Sequence, residues 1–264
     1  MIATAETPVK YTLSLSDERL PLNPLLGGTI RLEYSGQIQC AGCGQLTKKS
    51  FSEGFCFRCF STLAQCDLCI VKPELCHFAK GTCREPEWGQ AHCMQPHYVY
   101  LANASGLKVG ITRASQVPTR WLDQGAIQAL LVLQVHSRYQ AGLVEVAMKQ
   151  HVADRTDWRK MLKGEPEPHD LKSQRQGLLE RCTEALAVSA ATTGRPEPVF
   201  LETEAVRNFN YPVLTYPQRV TALNLDKTPT VEGTLLGIKG QYLIFDIGVL
   251  NVRKFTGYQV TVTT

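Results

Sequence analysis

Nine of the ten cysteines of this chain lie between Cys40 and Cys93. Three C-x2-C pairs open the run, Cys40/Cys43, Cys56/Cys59 and Cys66/Cys69, and Cys76, Cys83 and Cys93 follow singly. Hydrophobic periodicity across residues 40–97 is weak, so this segment cannot bury enough apolar surface to fold unaided. Thiolates at C-x2-C spacing can clamp one ion from a tight turn, two such turns close a tetrahedral site, and binding of the ion then supplies the missing stability. The alternative use of paired cysteines is disulfide formation, which needs an oxidising compartment. Met1–Pro8 lacks a basic stretch leading into an apolar one, and no run of eighteen apolar residues exists. No secretory leader and no membrane span are therefore expected, and a cytoplasmic location with reduced, metal-binding thiols is.

The first site expected is Cys40, Cys43, Cys56 and Cys59, in a treble-clef or ribbon-like module. Its second pair would sit at the start of a helix around Phe60–Ala64, where the helix terminus favours thiolates. The second site is expected at Cys66, Cys69, Cys76 and Cys83, the choice with the shortest loops. Cys93 in place of Cys76 is the competing set, with His77, His92 and His97 nearby. Zinc is expected at both sites, with an iron–sulfur cluster as the alternative at the second. Cys182 lies apart on a polar helix and is expected to be inert.

The remaining chain reads as α+β. Residues 1–39 carry alternating strand-like segments broken at Asn23-Pro24 and Gly27-Gly28, and form an N-terminal β element. These strands are free to join a C-terminal sheet. Residues 98–163 predict a hairpin (98–101 and 108–111), a helix from Pro118, a buried strand at 129–136 and a helix at 142–152. Residues 164–198 are a polar helix between two proline-containing linkers. Residues 199–264 predict an all-β domain with strands at 213–216, 219–223, 231–236, 242–246, 250–253 and 258–262.

Net charge is +4 for the whole chain, but its distribution is uneven. Residues 98–163 carry nine Lys or Arg against four Asp or Glu, an excess of +5, whereas the flanking segments are near neutral. A localised basic surface is the footprint of a polyanionic partner.

Within that basic segment, Tyr98-Val-Tyr100, then Lys108-Val-Gly110, then Arg120-Trp121 resemble the motifs of the GIY-YIG endonuclease superfamily, in the divergent branch whose second motif reads K-[VI]-G. The likeness covers about residues 98–163. Most of the chain, cysteine block included, also resembles an uncharacterised bacterial cysteine-rich family of unknown function. The GIY-YIG resemblance implies a small mixed α/β domain and metal-dependent cleavage of DNA or RNA. It implies that Tyr100 helps deprotonate the attacking water and that Lys108 stands where most members have a second tyrosine. Gly110 would permit close strand packing. Arg120, with Arg113 as a neighbour able to share the task, would steady the phosphate. Glu145 would hold magnesium or manganese. The family's first-motif glycine is Tyr98 here, and the histidine one turn after the arginine is replaced by Gln124.

The chemistry stands independently of the resemblance. Phosphodiester cleavage needs an activated water, a cation for the leaving oxygen and a positive charge on the equatorial oxygens. Tyr100, Glu145, and Arg120 with Lys108 are the residue types for those tasks. A catalytically inactive nucleic-acid binder is the alternative, and so is a redox sensor built on an iron–sulfur cluster. Oligomeric state is not legible.

Overall fold

A computed structural model describes residues 1–16 and 18–264. Among these residues it is a mixed α/β molecule with three sheets. The central sheet contains the antiparallel pair His97–Asn103 and Leu107–Arg113, with Gln128–Val135 on the other side of the first strand. The two-residue strands Val199–Phe200 and Arg207–Asn208 pair with Gln128–Val135. The first of the three large strands is buried along almost its whole length. It is flanked on both sides and covered on both faces, so apolar residues run continuously rather than alternate.

One face of this sheet is covered by helix Arg138–Met148 and by the long helix Leu171–Thr193. Leu171, Leu178, Cys182 and Leu186 of the long helix form its buried stripe, at near-heptad spacing. The other face carries Tyr100, Ala102, Trp121, Ala129 and Leu131. These pack with Met161 and Leu162, and with Ile244 and Val249 of a second sheet. The central sheet and its neighbour therefore share one continuous core.

That second sheet is ordered Gly248–Asn251, Tyr242–Phe245, Thr230–Lys239, Thr29–Gln39 and Tyr258–Thr263, all antiparallel. The eleven-residue strand Thr29–Gln39 lies between two strands from the far end of the chain. The N-terminal segment is thus divided. Ile2–Thr4, Lys10–Leu15 and Glu18–Pro21 make a small sheet of their own, and Thr29–Gln39 belongs to the C-terminal one. Both contribute to a single hydrophobic cluster that includes Val9, Tyr11, Ile30, Leu235, Leu243 and Phe255.

Three expectations need correction. Residues 199–208 belong to the central sheet, not to the C-terminal one. Residues 213–223 make only isolated bridges, Val213 with Gly237 and Ala222 with Val249. Pro212 and Pro217 interrupt that stretch and each removes a ladder donor. The helix expected at 142–152 runs Arg138–Met148, because the Ser137 side chain accepts a hydrogen bond from the Gln140 backbone and fixes the start four residues earlier.

Residues 40–97 form short helices and 3-10 turns, with Leu46–Thr47 pairing onto the end of Thr29–Gln39. Among the described residues, none of the three core clusters draws a member from 40–97. The segment is nevertheless fastened to the body, and two of its attachments are close approaches of backbone and charge. A Cβ on Gly142 would lie 2.6 Å from the Pro73 carbonyl carbon, so helix Arg138–Met148 packs directly on the turn Pro73–Leu75. At the other approach, Arg253 pairs with Glu53 at 2.8 Å. No helix among the described residues is long and apolar enough to cross a membrane.

Candidate functional site

A cleft of about 1080 Å³ opens where the central sheet, the C-terminal sheet, the N-terminal strands and the cysteine segment meet. Its floor is built by the hairpin. Tyr100 pairs with Gly110 across His97–Asn103 and Leu107–Arg113, and Lys108 pairs with Ala102 in the same register. Residues two apart on one strand share a face, so Lys108 and Gly110 point to the side on which the Tyr100 ring lies. A Cβ added to Gly110 would sit 2.6 Å from the Tyr100 hydroxyl oxygen. Only glycine leaves room for the ring, which is the physical content of the K-V-G triplet.

Tyr100 is fully buried and Lys108 is 4% exposed. Both converge on one acceptor. The Tyr100 hydroxyl donates to Gln124 Oε1 at 2.9 Å, and Lys108 Nζ donates to the same oxygen at 2.5 Å. Gln124 follows the short helix Thr119–Asp123, whose Arg120 also faces the cleft. Gln124, expected only as the replacement of a missing histidine, is the node of the site. Burial pushes the Tyr100 phenol up, with the nearby Arg120 charge pulling it back. Tyr100 is therefore a neutral donor at neutral pH. Burial also drives Lys108 down to about 7, and the Arg120 charge works in the same direction.

Glu145 lines the cleft from helix Arg138–Met148. Burial raises its carboxyl to about 7, and the charge of Asp154 adds to this. Asp154 and Arg138 both line the cleft and were not picked out from the sequence. Asp154 lies in an irregular stretch with no motif to mark it. Arg138 opens a helix whose start was placed too late. Arg113 lines the cleft beside them. Lys108, Arg113, Arg120, Arg138, Arg155 and Arg253 face Glu53, Asp123, Glu145 and Asp154 across it, so the lining is net positive. Tyr100, Lys108, Arg113, Arg120 and Glu145 thus all line one cleft, with Tyr100 sealed from solvent beneath it. Glu145 and Asp154 together offer hard oxygen donors, and neither makes a salt bridge among the described residues. Carboxylate oxygens are the donor type that a hard divalent cation takes.

The four cysteines of the first expected site are also together. Ligand atoms of Cys40, Cys43, Cys56 and Cys59 lie within 4.8 Å of one another, and the four could hold a metal ion. Gln39 ends the long strand and delivers Cys40, while Cys56 caps helix Phe57–Thr62 with Cys59 in its first turn. That helix begins three residues before its expected start. Burial works to raise the Cys40 thiol, but the backbone N–H groups of Cys56, Cys43 and Gly42 outweigh it and bring it to about 6. Cys59 is pushed up to about 12 by burial and by the surrounding thiols. Four thiols that cannot all ionise beside one another unless a cation joins them are what a thiolate metal site requires.

The second expected set is not assembled in the same way. Cys69, Cys76 and Cys83 line one small void together with Cys93, and Cys66 is not among its walls. Burial raises the Cys66 thiol, with the Arg84 charge pulling it back. Of the neighbouring histidines, His77 stands 3.5 Å from Asp67, His92 stacks on Trp88, and His97 is buried in the central sheet with Nδ1 2.8 Å from the Gln95 carbonyl. Cys182 is buried in the helix stripe.

The architecture is that of a mixed α/β protein with a four-cysteine candidate metal centre and a basic cleft. Residues 27–260 match the model of a protein family described as "Protein of unknown function (DUF2797)", and the chain belongs to that family. No curated protein and no solved structure matches it.

Proposed function

We propose that the chain is a metal-dependent phosphodiester hydrolase acting on nucleic acid, with a GIY-YIG-like central domain and with zinc at Cys40, Cys43, Cys56 and Cys59. The observation that carries this reading is the meeting of Tyr100, Lys108, Arg120 and Glu145, spread over 46 residues of sequence, at one net-positive cleft.

In this reading Arg120, with Arg113 and Arg138 beside it, holds the non-bridging oxygens of the scissile phosphate and neutralises the charge that builds on them. Arg138 retains an unpartnered buried Nε–H for such a contact among the described residues. Lys108, neutral in part near pH 7, accepts a proton from the attacking water at Nζ. Tyr100 orients that water through its hydroxyl when Gln124 releases it. Glu145 and Asp154 would hold a magnesium or manganese ion, which supplies a positive charge to the leaving oxygen.

A second reading has its own observation. Tyr100 has no exposed surface, and Tyr100 and Lys108 are both tied to Gln124. This suits a cleft that binds nucleic acid without cutting it. One experiment separates the two. Purified protein is incubated with plasmid, single-stranded DNA and structured RNA in magnesium or manganese. Cleavage that drops at least a hundredfold in Glu145→Ala and in Arg120→Ala supports the hydrolase. Binding without cleavage by wild type in every substrate leaves the binder.

A further inference from the structure

We propose that Cys69, Cys76, Cys83 and Cys93 together bind a single thiophilic metal ion, zinc, in a second site that excludes Cys66. All four side chains line one void of about 10 Å³, walled otherwise by Ala64, Phe78, Trp88 and Gly89 with Asp67, His77 and Arg84 at its side. The sulfurs are not gathered within 4.8 Å of one another as those of the first site are, so capture of the ion would close the void around it. Four soft sulfur donors around one such space select zinc over magnesium or calcium. The spacing obscured this set in the sequence. Six residues separate Cys69 from Cys76 and Cys76 from Cys83, and nine separate Cys83 from Cys93. The C-x2-C signature belongs to Cys66 and Cys69, and that pair is split.

Asp67, Cys69 and His77 form a competing group, with ligand atoms within 4.8 Å of one another. The partners of the first and last members are already assigned. The Asp67 carboxylate accepts from the Cys69 backbone at 3.2 Å and meets Arg84 Nε at 2.7 Å. His77 holds Thr82 Oγ1 at Nδ1, 2.8 Å away, and turns Nε2 towards Asp67. An arginine against the carboxylate repels a cation there, whereas Arg84 and Arg138 outside a four-thiolate shell offset its net negative charge.

The site would also reach the cleft. The Arg138 backbone N–H donates to the Cys93 carbonyl at 2.8 Å, and its guanidinium donates to the carbonyl of Ile70, next to Cys69. Two of the four ligands thus sit at the anchor points of an arginine that lines the cleft. Closing the ion site fixes both carbonyls and so holds Arg138 in place.

Metal content and thiol accessibility test this assignment without reference to any activity. The full chain is purified natively and its zinc and iron are measured by plasma mass spectrometry. Two zinc ions per chain are expected in wild type and in Cys66→Ser, and one in Cys83→Ser. Native alkylation of wild type followed by peptide mapping covers the case in which Cys83→Ser does not fold. Cys66 is then modified while Cys69, Cys76, Cys83 and Cys93 are protected until a chelator is added. One zinc in wild type, stoichiometric iron, loss of a zinc in Cys66→Ser, or alkylation of Cys83 and Cys93 in the native holoprotein would each overturn the assignment.

Discussion

At the scale of single residues the cleft is a set of electrostatic compromises around Gln124. Glu145 is raised to about 7 from the usual carboxylate range, so the fold prefers its protonated form. The stability this confers is complete below about pH 4.5 and is lost as pH rises through 7. Lys108 runs the opposite way. Its contribution is complete above about pH 10.5 and is lost as pH falls through 7. Without added divalent cation the pair therefore sets a stability minimum near neutrality. In Glu145→Gln the first limb disappears. From pH 4.5 to 7 wild type should lose on the order of 2–3 kcal/mol relative to the variant, followed by denaturant melts at each pH. Equal pH dependence of the two proteins would refute this. Gly110→Ala tests the packing beneath Tyr100. The added methyl forces the ring away and should cost about 1–3 kcal/mol, with a fall in melting temperature of roughly 2–10 °C. The lysine, glycine and arginine were picked out through the resemblance to the GIY-YIG motifs, not through any local periodicity. Asp154 was not, since its approach to Glu145 depends on an irregular loop.

At the scale of elements, the hairpin and the long helix were the most legible parts, because burial imposes a period that the sequence must carry. Helix starts and proline-interrupted segments were the least. Ser137 was a usable cap signal for helix Arg138–Met148, and Pro212 and Pro217 were usable evidence against strands at 213–223. The strand His97–Asn103 carries its own acid sensor. Burial lowers His97 to about 4, with Arg138 and Arg113 adding to the effect, and its Nε2 has no partner among the described residues. Neutral His97 is what the sheet accommodates, so this share of stability is whole above pH 6.5 and is lost as pH falls through 4. His97→Leu should narrow the gap between melting temperatures at pH 7 and pH 4, by an amount equivalent to about 3 kcal/mol in wild type. Metal release in acid is common to both proteins, so the difference between them isolates the histidine. An unchanged gap would remove it from the account.

At the scale of the whole molecule, five of the nine cations and three of the four acids of residues 98–163 line one wall of a cleft closed by three other segments, so only part of that segment's positive excess faces it. If the cleft holds a nucleic-acid backbone, log affinity should fall linearly with log salt concentration, with a slope near −0.9 for each duplex phosphate neutralised. Arg113→Ala should reduce that slope by about one contact and weaken all sequences alike, as read by fluorescence anisotropy over a salt series. A slope unaffected by the substitution would mean that the phosphates lie elsewhere. The assembly of this cleft could not be inferred from local pattern. It depends on which sheet the Thr29–Gln39 strand enters, and strand alternation alone is compatible with several partners.

The position of that strand bears on how the molecule is made. Arg31 meets Glu232 across 201 residues of chain, and Tyr258–Thr263 closes its other edge. During synthesis the strand leaves the ribosome long before either neighbour exists, as an unpaired edge prone to joining other nascent chains. The ligands that follow it directly, Cys40 to Cys59, need only about twenty residues to capture an ion. Metal capture could thus fold the segment beside the waiting strand early, and a zinc-poor ribosome lysate should yield aggregated chains before it yields inactive ones.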